Sequence, residues 1–238
     1  MLKSRIARPD NLTAAEVFEM HQLFSRYYDQ VPFEQFNTDL QAKDCIILLH
    51  NKQGTLSGFS TLAELELNVE HEMIRVVFSG DTIIDRKHWG TQALALAWIR
   101  EISRIAASAP DQRLYWLLIV KAHRTYRYLP AFTYEFVPDW RKPSKRALDV
   151  TKDAIATQVF GSRYDAASGV IRHAQRDGRL SSPYSTPNHR EAKRADVQFF
   201  LNSNPGYVYG DELVCLCEIK AANMKPFARR IFREAVAC

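Results

Sequence analysis

Three extended runs between residues 45 and 84 constrain the fold more than any other feature of the sequence. Cys45 to His50 is almost continuously apolar, Leu56 to Leu67 resumes an extended pattern after a turn signal, and Met73 to Ile84 follows an acidic turn. Runs of this length that are separated by turn residues predict strands joined as hairpins. The sequence therefore predicts an antiparallel meander of three strands.

Helical and extended patterns lie on both sides of this meander. Thr13 and Glu16 are spaced as a capping box, and apolar residues then recur at helical spacing to about Tyr28. The other predicted segments are, in chain order, a strand over Lys3–Ala7, helices over Phe33–Leu40 and Thr91–Ile105, a strand over Leu114–Val120 and a helix over His123–Phe136. The result is a mixed α/β unit.

The pattern weakens after Trp140. A helix is predicted from Ser144 to about Val159, a strand over Leu213–Ile219 and a basic helix over Pro226–Ala235. Arg176 to Arg194 is rich in Ser, Pro and charged residues and predicts a loop or mobile segment. We divide the chain into a unit over residues 1–140 and a C-terminal extension over 141–238, whose last strand we expect to join the sheet.

Composition indicates an ordinary globular protein and limits its partners. The chain is 46% apolar and 25% charged, and no apolar run approaches the roughly 20 residues of a membrane helix, so we expect a cytoplasmic protein. Neither cysteines nor histidines have metal-ligand spacing, so we expect no metal site. From Arg141 onward, 17 Lys and Arg face 10 Asp and Glu, a net +7. That excess suits an anionic partner, or simply a solvated basic surface.

A basic turn joins the last strand of the meander to the next helix. Free backbone N–H groups and the helix dipole attract phosphate at such a helix start. Gly90 removes a side chain there, and Arg86 and Lys87 add positive charge. The turn therefore predicts an anion-binding site, although a plain connection between two elements has the same composition.

The order of elements and two short motifs resemble the GNAT superfamily of acyl-CoA-dependent N-acyltransferases over about Leu2–Val137. That family has Arg/Gln-x-x-Gly-x-Gly/Ala at this turn, and here Gly90 matches the central glycine, whereas Gln92 stands where a small residue is usual. The second motif is loosely followed by Ala122, Tyr126 and Phe132. The six positions that correspond to the family's turn are Lys87, His88, Trp89, Gly90, Thr91 and Gln92.

The resemblance implies a fold, a reaction and site residues. The fold is a GNAT-like central sheet, mainly antiparallel and twisted, flanked by helices and followed by extra C-terminal helices. The reaction moves an acyl group from a coenzyme A or carrier-protein thioester directly to an amine, without a covalent enzyme intermediate. The turn Lys87–Gln92 would bind coenzyme A, and Tyr126 would protonate the departing thiolate. Asp81, near the expected separation of two middle strands, is the candidate base.

Alternatives remain for each of these residues and for the whole chain. Tyr126 could be a core tyrosine on an aromatic helix, and Asp81 an ordinary strand-end aspartate, which simple alternation places on the same face as Ser79. His88 and Trp89 could be an exposed loop histidine and an anchor for the following helix. The alternative function is a catalytically silent GNAT-like module that binds nucleic acid or an acidic protein through its basic C-terminal half. The acceptor, the acyl chain length and the oligomeric state stay open.

Overall fold

The chain is built on one large sheet and a small two-stranded one. The computed structural model describes residues 2–142, 147–173 and 178–236. The strands are β1 (Lys3–Ala7), β2 (Tyr28–Asp29), β3 (Cys45–His50), β4 (Leu56–Val69), β5 (Glu72–Ile84), β6 (Leu114–Val120), β7 (Tyr164–Asp165), β8 (Val170–Ile171), β9 (Arg179–Leu180) and β10 (Glu212–Glu218). The large sheet has the order β1-β3-β4-β5-β6-β10-β8-β7, and β2 pairs with β9.

Helices cover both faces of the large sheet. They are α1 (Ala14–Ser25), α2 (Phe33–Gln41), α3 (Ala93–Ser108), α4 (His123–Tyr126), α5 (Tyr128–Phe132), α6 (Ala147–Phe160), α7 (Ser182–Ser185), α8 (His189–Ala192), α9 (Ala195–Ser203) and α10 (Pro226–Val236). The predicted start of α6 at Ser144 lies outside the described residues. None of the helices in the described ranges is long and apolar enough to cross a membrane.

The predicted fold class is confirmed. β3, β4 and β5 form an antiparallel meander with β1 on its outer edge, as the three extended runs predicted. Among the neighbouring strands, β5 and β6 run parallel, joined through α3, while β10 pairs antiparallel with β6 over Leu213 to Glu218. The sheet is therefore mixed and mainly antiparallel. The division of the chain at residue 140 stays a prediction, but β10 follows that point and lies in the same sheet.

Burial on both faces explains the continuous apolar runs of the central strands. Ile47 and Val77 point to the face covered by α3 and α10, whereas Ile46 points to α1 and α2 and Val76 to α6. Side chains alternate between the two faces of a strand, so a strand covered twice must be apolar at every position. The functional residues described below are exceptions within these strands.

The helix predicted over His123–Phe136 is wrong in its extent. α4 ends at Tyr126, α5 occupies Tyr128–Phe132, and the chain is then extended, with Val137 bridging to Leu216 of β10. Pro130 provides the reason, because its ring would clash with the carbonyl of residue 126 in a continuous helix and it has no N–H to donate. It is tolerated within the first turn of α5, where no intrahelical donor is needed.

The segment predicted as a loop has secondary structure over its described part, residues 178–194, while Arg176 lies outside the described residues. β9 pairs with β2, the N–H of Ser181 donates to the Tyr27 carbonyl at 2.8 Å, and α8 begins with a capping box. Composition misjudged this segment because its few apolar side chains, Leu180 and Tyr184, pack against the cluster beneath α1 rather than against each other. Its mobility stays a prediction.

Candidate active site

The two middle strands of the sheet separate partway along their length. β5 and β6 pair from Arg75↔Leu114 to Ser79↔Leu118, and the register ends there although both strands continue. Beyond Ser79, the only described strand that still pairs with β5 is β4, and the only one that still pairs with β6 is β10. The β6-facing edge of β5 is therefore open at the level of Gly80 to Ile84.

A β-bulge coincides with this separation. Ser60 pairs with Thr82 and Leu62 with Ser79, so two steps on β4 correspond to three on β5. The extra residue reverses the alternation of side chains. Ser79 points towards α3, where its Oγ lies 3.2 Å from Trp98 Nε1, whereas Asp81 lines a cavity on the opposite face with Phe78. The expectation that Ser79 and Asp81 share a face is therefore wrong.

A groove of about 430 Å³ runs along the start of α3. One side is formed by Trp89, Gly90 and Thr91, and the other by α4 and α5. The extension contributes Leu180 and Tyr184. Of the six residues predicted at the turn, Lys87, His88 and Gln92 do not line this groove. Lys87 is exposed and is near the groove residues in sequence, but it is not part of the groove wall. We refer to this feature as the groove.

The start of α3 offers backbone donors. Thr91 Oγ1 accepts from the N–H of Ala93 at 3.2 Å, and Gln92 makes no side-chain cap. Across the described residues, the N–H groups of Gly90, Gln92, Leu94 and Ala95 have no acceptor, and of these four residues only Gly90 lines the groove. Gly90 has φ +87°, and a Cβ built there would have no atom within 4 Å. Glycine is required here by the left-handed backbone, and the space above it is open.

Cationic and aromatic side chains surround the groove. The Trp89 ring is 44% exposed, and its indole N–H donates to the Ile84 carbonyl. The guanidinium of Arg124 lies 5.1 Å from that ring, and Tyr184 contacts it edge-on at 6.2 Å. Arg124 and Arg127 line the groove from α4 and its C-terminal end. The sequence analysis did not identify either arginine. Their spacing of three residues, which places two side chains on one face of a helix, could have indicated them.

A small apolar cavity of about 30 Å³ lies beside the groove, on the α3 face of the sheet. Trp98, Trp116 and Phe132 wall it, and the two indole rings are 4.1 Å apart. Both indole N–H groups donate to Ser79 Oγ, at 3.2 and 2.9 Å. Ser79 thus satisfies two buried donors and fixes the rings. We call this the apolar cavity.

A larger charged cavity of about 310 Å³ lies on the opposite face. Asp81 and Lys43 line it from the side of the meander. Lys121, directly after β6, and Glu212, at the start of β10, line it from the other side. Lys121 Nζ lies 3.8 Å from Glu212 Oε1, and His173 Nε2 lies 2.5 Å from Glu212 Oε2. We call this the charged cavity.

Two of the carboxyl groups that line the charged cavity, those of Asp81 and Glu212, have pKa values shifted in opposite directions. Burial raises the pKa of Asp81 above its ordinary value, and Lys43 and Lys121 offset this only in part. Burial also acts on Glu212, but Lys121 and His173 hold the pKa of that carboxyl below its ordinary value. Of these two groups, Asp81 therefore has the greater affinity for a proton, which favours it as the proton acceptor.

Tyr126 lies in the core rather than in any of these three spaces. Its side chain is 0% exposed, its hydroxyl donates to the Pro138 carbonyl at 2.7 Å, and burial raises its pKa. Tyr128, two residues later, lines both the groove and the apolar cavity. Its hydroxyl has no hydrogen-bond partner in the described ranges, and burial raises its pKa, so the phenol stays protonated. The geometry favours the core interpretation of Tyr126.

Thr82 and Thr125 line all three spaces. Thr82 lies on β5 just past the bulge, and Thr125 lies on α4 just past β6. The groove, the apolar cavity and the charged cavity therefore meet where β5 and β6 separate. Among the described residues, no group of three or more His, Cys, Asp or Glu is placed to hold a metal ion.

Comparison with solved structures found chains that resemble this one over about half of its length. A probable N-acyltransferase from Enterococcus faecalis V583 covers 56% of this chain at 15% identity and a TM-score of 0.43, and the match spans 33% of that chain. An acyl-CoA N-acyltransferase from Pseudomonas aeruginosa covers 56% at 18% identity and a TM-score of 0.41, spanning 88% of that chain.

A GNAT family N-acetyltransferase from Escherichia coli, solved in complex with CoA, covers 56% of this chain at 14% identity and a TM-score of 0.38, spanning 69% of that chain. These three solved structures are named as N-acyltransferases or as a GNAT N-acetyltransferase. No protein-family model matches the sequence, and no curated protein matches it.

Proposed function

We propose that this protein transfers an acyl group from a coenzyme A thioester to an amine. The observation that carries the proposal is the meeting of three spaces at Thr82 and Thr125. A phosphate-compatible groove, a small apolar cavity and a charged cavity with a buried carboxylate supply what this reaction needs: a donor site, an acyl site and an acceptor site.

The groove suits the phosphate-bearing part of coenzyme A. The free N–H group of Gly90, which lines the groove, and the N-terminal end of the α3 dipole stabilise an anion there. Arg124 and Arg127 line the facing wall, but Arg124 pairs with Glu191 at 3.0 Å and Arg127 with Asp196 at 3.8 Å, so the proposal rests on the helix start rather than on their charge. The open edge of β5 beyond Ser79 leaves backbone groups for an extended chain that continues from the groove towards Thr82.

The charged cavity and Tyr128 supply proton transfer. Asp81 takes a proton from the acceptor ammonium, and the freed lone pair attacks the thioester carbonyl carbon. The carbon–sulfur bond then breaks, and Tyr128 gives its proton to the departing thiolate. The proton released from the new amide nitrogen restores Tyr128, and Asp81 releases its proton to solvent through the charged cavity. Tyr128 replaces Tyr126 in this assignment because it alone of the two borders the groove.

The apolar cavity sets the size of the acyl group. Its volume of about 30 Å³ is above the roughly 10–15 Å³ that a cavity needs to hold one water molecule, so it has room only for a small group. The Trp98 and Trp116 rings, tilted by 44° to each other, close it, and Ser79 holds them in place. We therefore assign acetyl as the preferred acyl group.

The alternative, a silent module that binds nucleic acid, rests on basic residues after Trp140, of which Arg190 and Lys193 are exposed and have no ion pair among the described residues, whereas three others are paired. Arg141 pairs with Asp139 at 2.8 Å, Arg194 pairs with Asp196 at 2.8 Å, and Lys142 contacts Glu135. Cations already paired within the chain add little to phosphate binding. Lys145 and Arg146 lie outside the described residues.

The test is calorimetric titration with coenzyme A at low salt, using two glycine variants. Gly90 and Gly54 both have positive φ, +87° and +82°, and a Cβ at either would have no atom within 4 Å. Gly90→Leu and Gly54→Leu should therefore cost similar stability, about 1–2 kcal/mol. Only Gly90→Leu should weaken coenzyme A binding, by tenfold or more. Absence of binding to the wild type at millimolar coenzyme A would overturn the proposal.

A further inference from the structure

The charged cavity contains two opposite charges that do not neutralise each other. Asp81 and Lys43 both line it, yet within the described residues no carboxylate oxygen lies within 4 Å of Lys43 Nζ. The ammonium group of Lys43 lies 5.6 Å from the Phe78 ring and would be 3.8 Å from a Cβ at Gly80. It therefore lies beside the bulged part of β5. An unpaired cation and an unpaired carboxylate thus face one space.

The opposite wall of the cavity is satisfied internally. Glu212 receives both Lys121 and His173, and Lys121 also donates to the Gly178 carbonyl at 3.2 Å. Asp39 and Arg163 also line the cavity, but both are exposed to solvent. Among the described residues, the less exposed charges left for a ligand are therefore those of Asp81 and Lys43.

The extension limits what can enter. Arg163, Ile171, His173 and Glu212, all beyond residue 140, close one side of the cavity, which has a volume of about 310 Å³. This volume suits a small molecule. Without a ligand, Asp81 and Lys43 each lack a partner of opposite charge in this cavity. A ligand that satisfies both therefore carries an ammonium group and an anionic group a few ångströms apart.

We propose that the acyl acceptor is a free α-amino acid, with its amine at Asp81 and its carboxylate at Lys43. This inference rests on the proposed function and names the acceptor of the same site. An amine inside a peptide lacks the adjacent carboxylate, and a simple amine leaves Lys43 unpaired. Either should be a poorer acceptor than the free amino acid of the same side chain.

The experiment measures release of free coenzyme A thiol from acetyl-CoA. The acceptors are the common L-α-amino acids, each assayed beside its own carboxamide, so that only the negative charge differs within a pair. At least one amino acid should be acetylated with a kcat/KM tenfold or more above that of its carboxamide. Equal or better use of the carboxamides throughout would overturn the inference.

Two lysine variants give the matched control. Lys43→Gln should raise KM for the preferred amino acid by about tenfold to a hundredfold, the range for loss of a charged hydrogen bond, and change KM for its carboxamide by a much smaller factor. Lys52→Gln, in the exposed β3–β4 turn, should change neither. An equal effect of Lys43→Gln on both acceptors would also overturn the inference. Calorimetry separates this failure from that of the proposed function: coenzyme A still binds in the first case and does not in the second.

Discussion

Ser79 and Asp81 stand two residues apart on one strand, yet they serve cavities of opposite character. On the α3 face, Ser79 accepts two indole hydrogen bonds and helps close an apolar space of about 30 Å³. On the other face, Asp81 lines a charged space of about 310 Å³. Because the bulge places them on opposite faces, one face of the strand carries Ser79, whose hydrogen bonds are made within the protein. The other face carries Asp81, whose carboxyl group is available to a ligand. Changes on the first face should alter specificity, and changes on the second should alter rate.

The largest effect is expected at Asp81. Asp81→Asn keeps the shape of the side chain but removes the base, so kcat should fall by about 10²- to 10⁴-fold with coenzyme A affinity unchanged. In the wild type, kcat/KM should rise with pH as Asp81 loses its proton, and the variant should lack this rise. A pH–rate profile of both proteins checks the prediction. An unchanged kcat in the variant would contradict the assignment of the Asp81 face to the reaction rate.

The same substitution should stabilise the fold at neutral pH. Burial raises the pKa of Asp81 in the folded state, so the folded protein binds this proton more tightly than the unfolded chain does. The stability from this group is fully present below the unfolded pKa and is lost as pH rises through the folded pKa. Asp81→Asn should therefore raise Tm at pH 7, by about 2–4 °C per kcal/mol recovered, and leave Tm unchanged at pH 3. A lowered Tm at pH 7 would contradict this.

Two tyrosines give the next largest contrast. Tyr128→Phe removes the proposed acid and should lower kcat by about ten- to a thousandfold with little change in stability. Tyr126→Phe should leave kcat within about twofold but cost about 1–2 kcal/mol, because the Pro138 carbonyl loses its donor. Turnover and urea unfolding of both variants decide between them. The reverse result would restore Tyr126 as the acid.

A smaller effect is expected on the apolar face. Trp98→Leu should enlarge the apolar cavity and raise the kcat/KM ratio of butyryl-CoA to acetyl-CoA by about tenfold, since one or two methylenes change discrimination by this order. It should also cost about 2–4 kcal/mol of stability. The ratio is measured within one protein and does not depend on the folded fraction. An unchanged ratio would mean that the acyl chain lies elsewhere.

The smallest effect concerns the segment between Arg176 and Arg194. Because Leu180 and Tyr184 line the groove, saturating acetyl-CoA should slow limited proteolysis within this segment several-fold. The first cut without ligand should also fall here. First cleavage elsewhere, or an equal rate with and without acetyl-CoA, would remove the segment from the donor site and confine that site to the sheet and α3–α5.

Local patterns sufficed for most of the fold. The meander of β3, β4 and β5 is encoded by apolar runs and turn residues that act within a few positions of each other, and β6 follows from its own composition. The bulge could not be predicted, because the extra residue between Ser79 and Thr82 is defined by pairing with β4. That one residue is what placed Ser79 and Asp81 on different faces.

The candidate site was predictable only in part. The turn before α3 was found from Gly90 and its neighbours, and Asp81 from its place near the end of a strand. Tyr128 was missed because several aromatic residues follow β6 and only the break at Pro130 determines which of them faces the groove. Lys43 and Tyr184 reach the site from distant parts of the sequence, through packing that no local pattern records.

The most direct test of the account is the position of coenzyme A in a crystal structure of the complex. We expect its pyrophosphate at the N–H group of Gly90 and the N-terminal end of α3, and its sulfur between Thr82 and Thr125 where β5 and β6 separate. Arg124 should contact the phosphates. A molecule bound outside this groove, or a gap between β5 and β6 that stays empty in crystals grown with millimolar coenzyme A, would contradict the account.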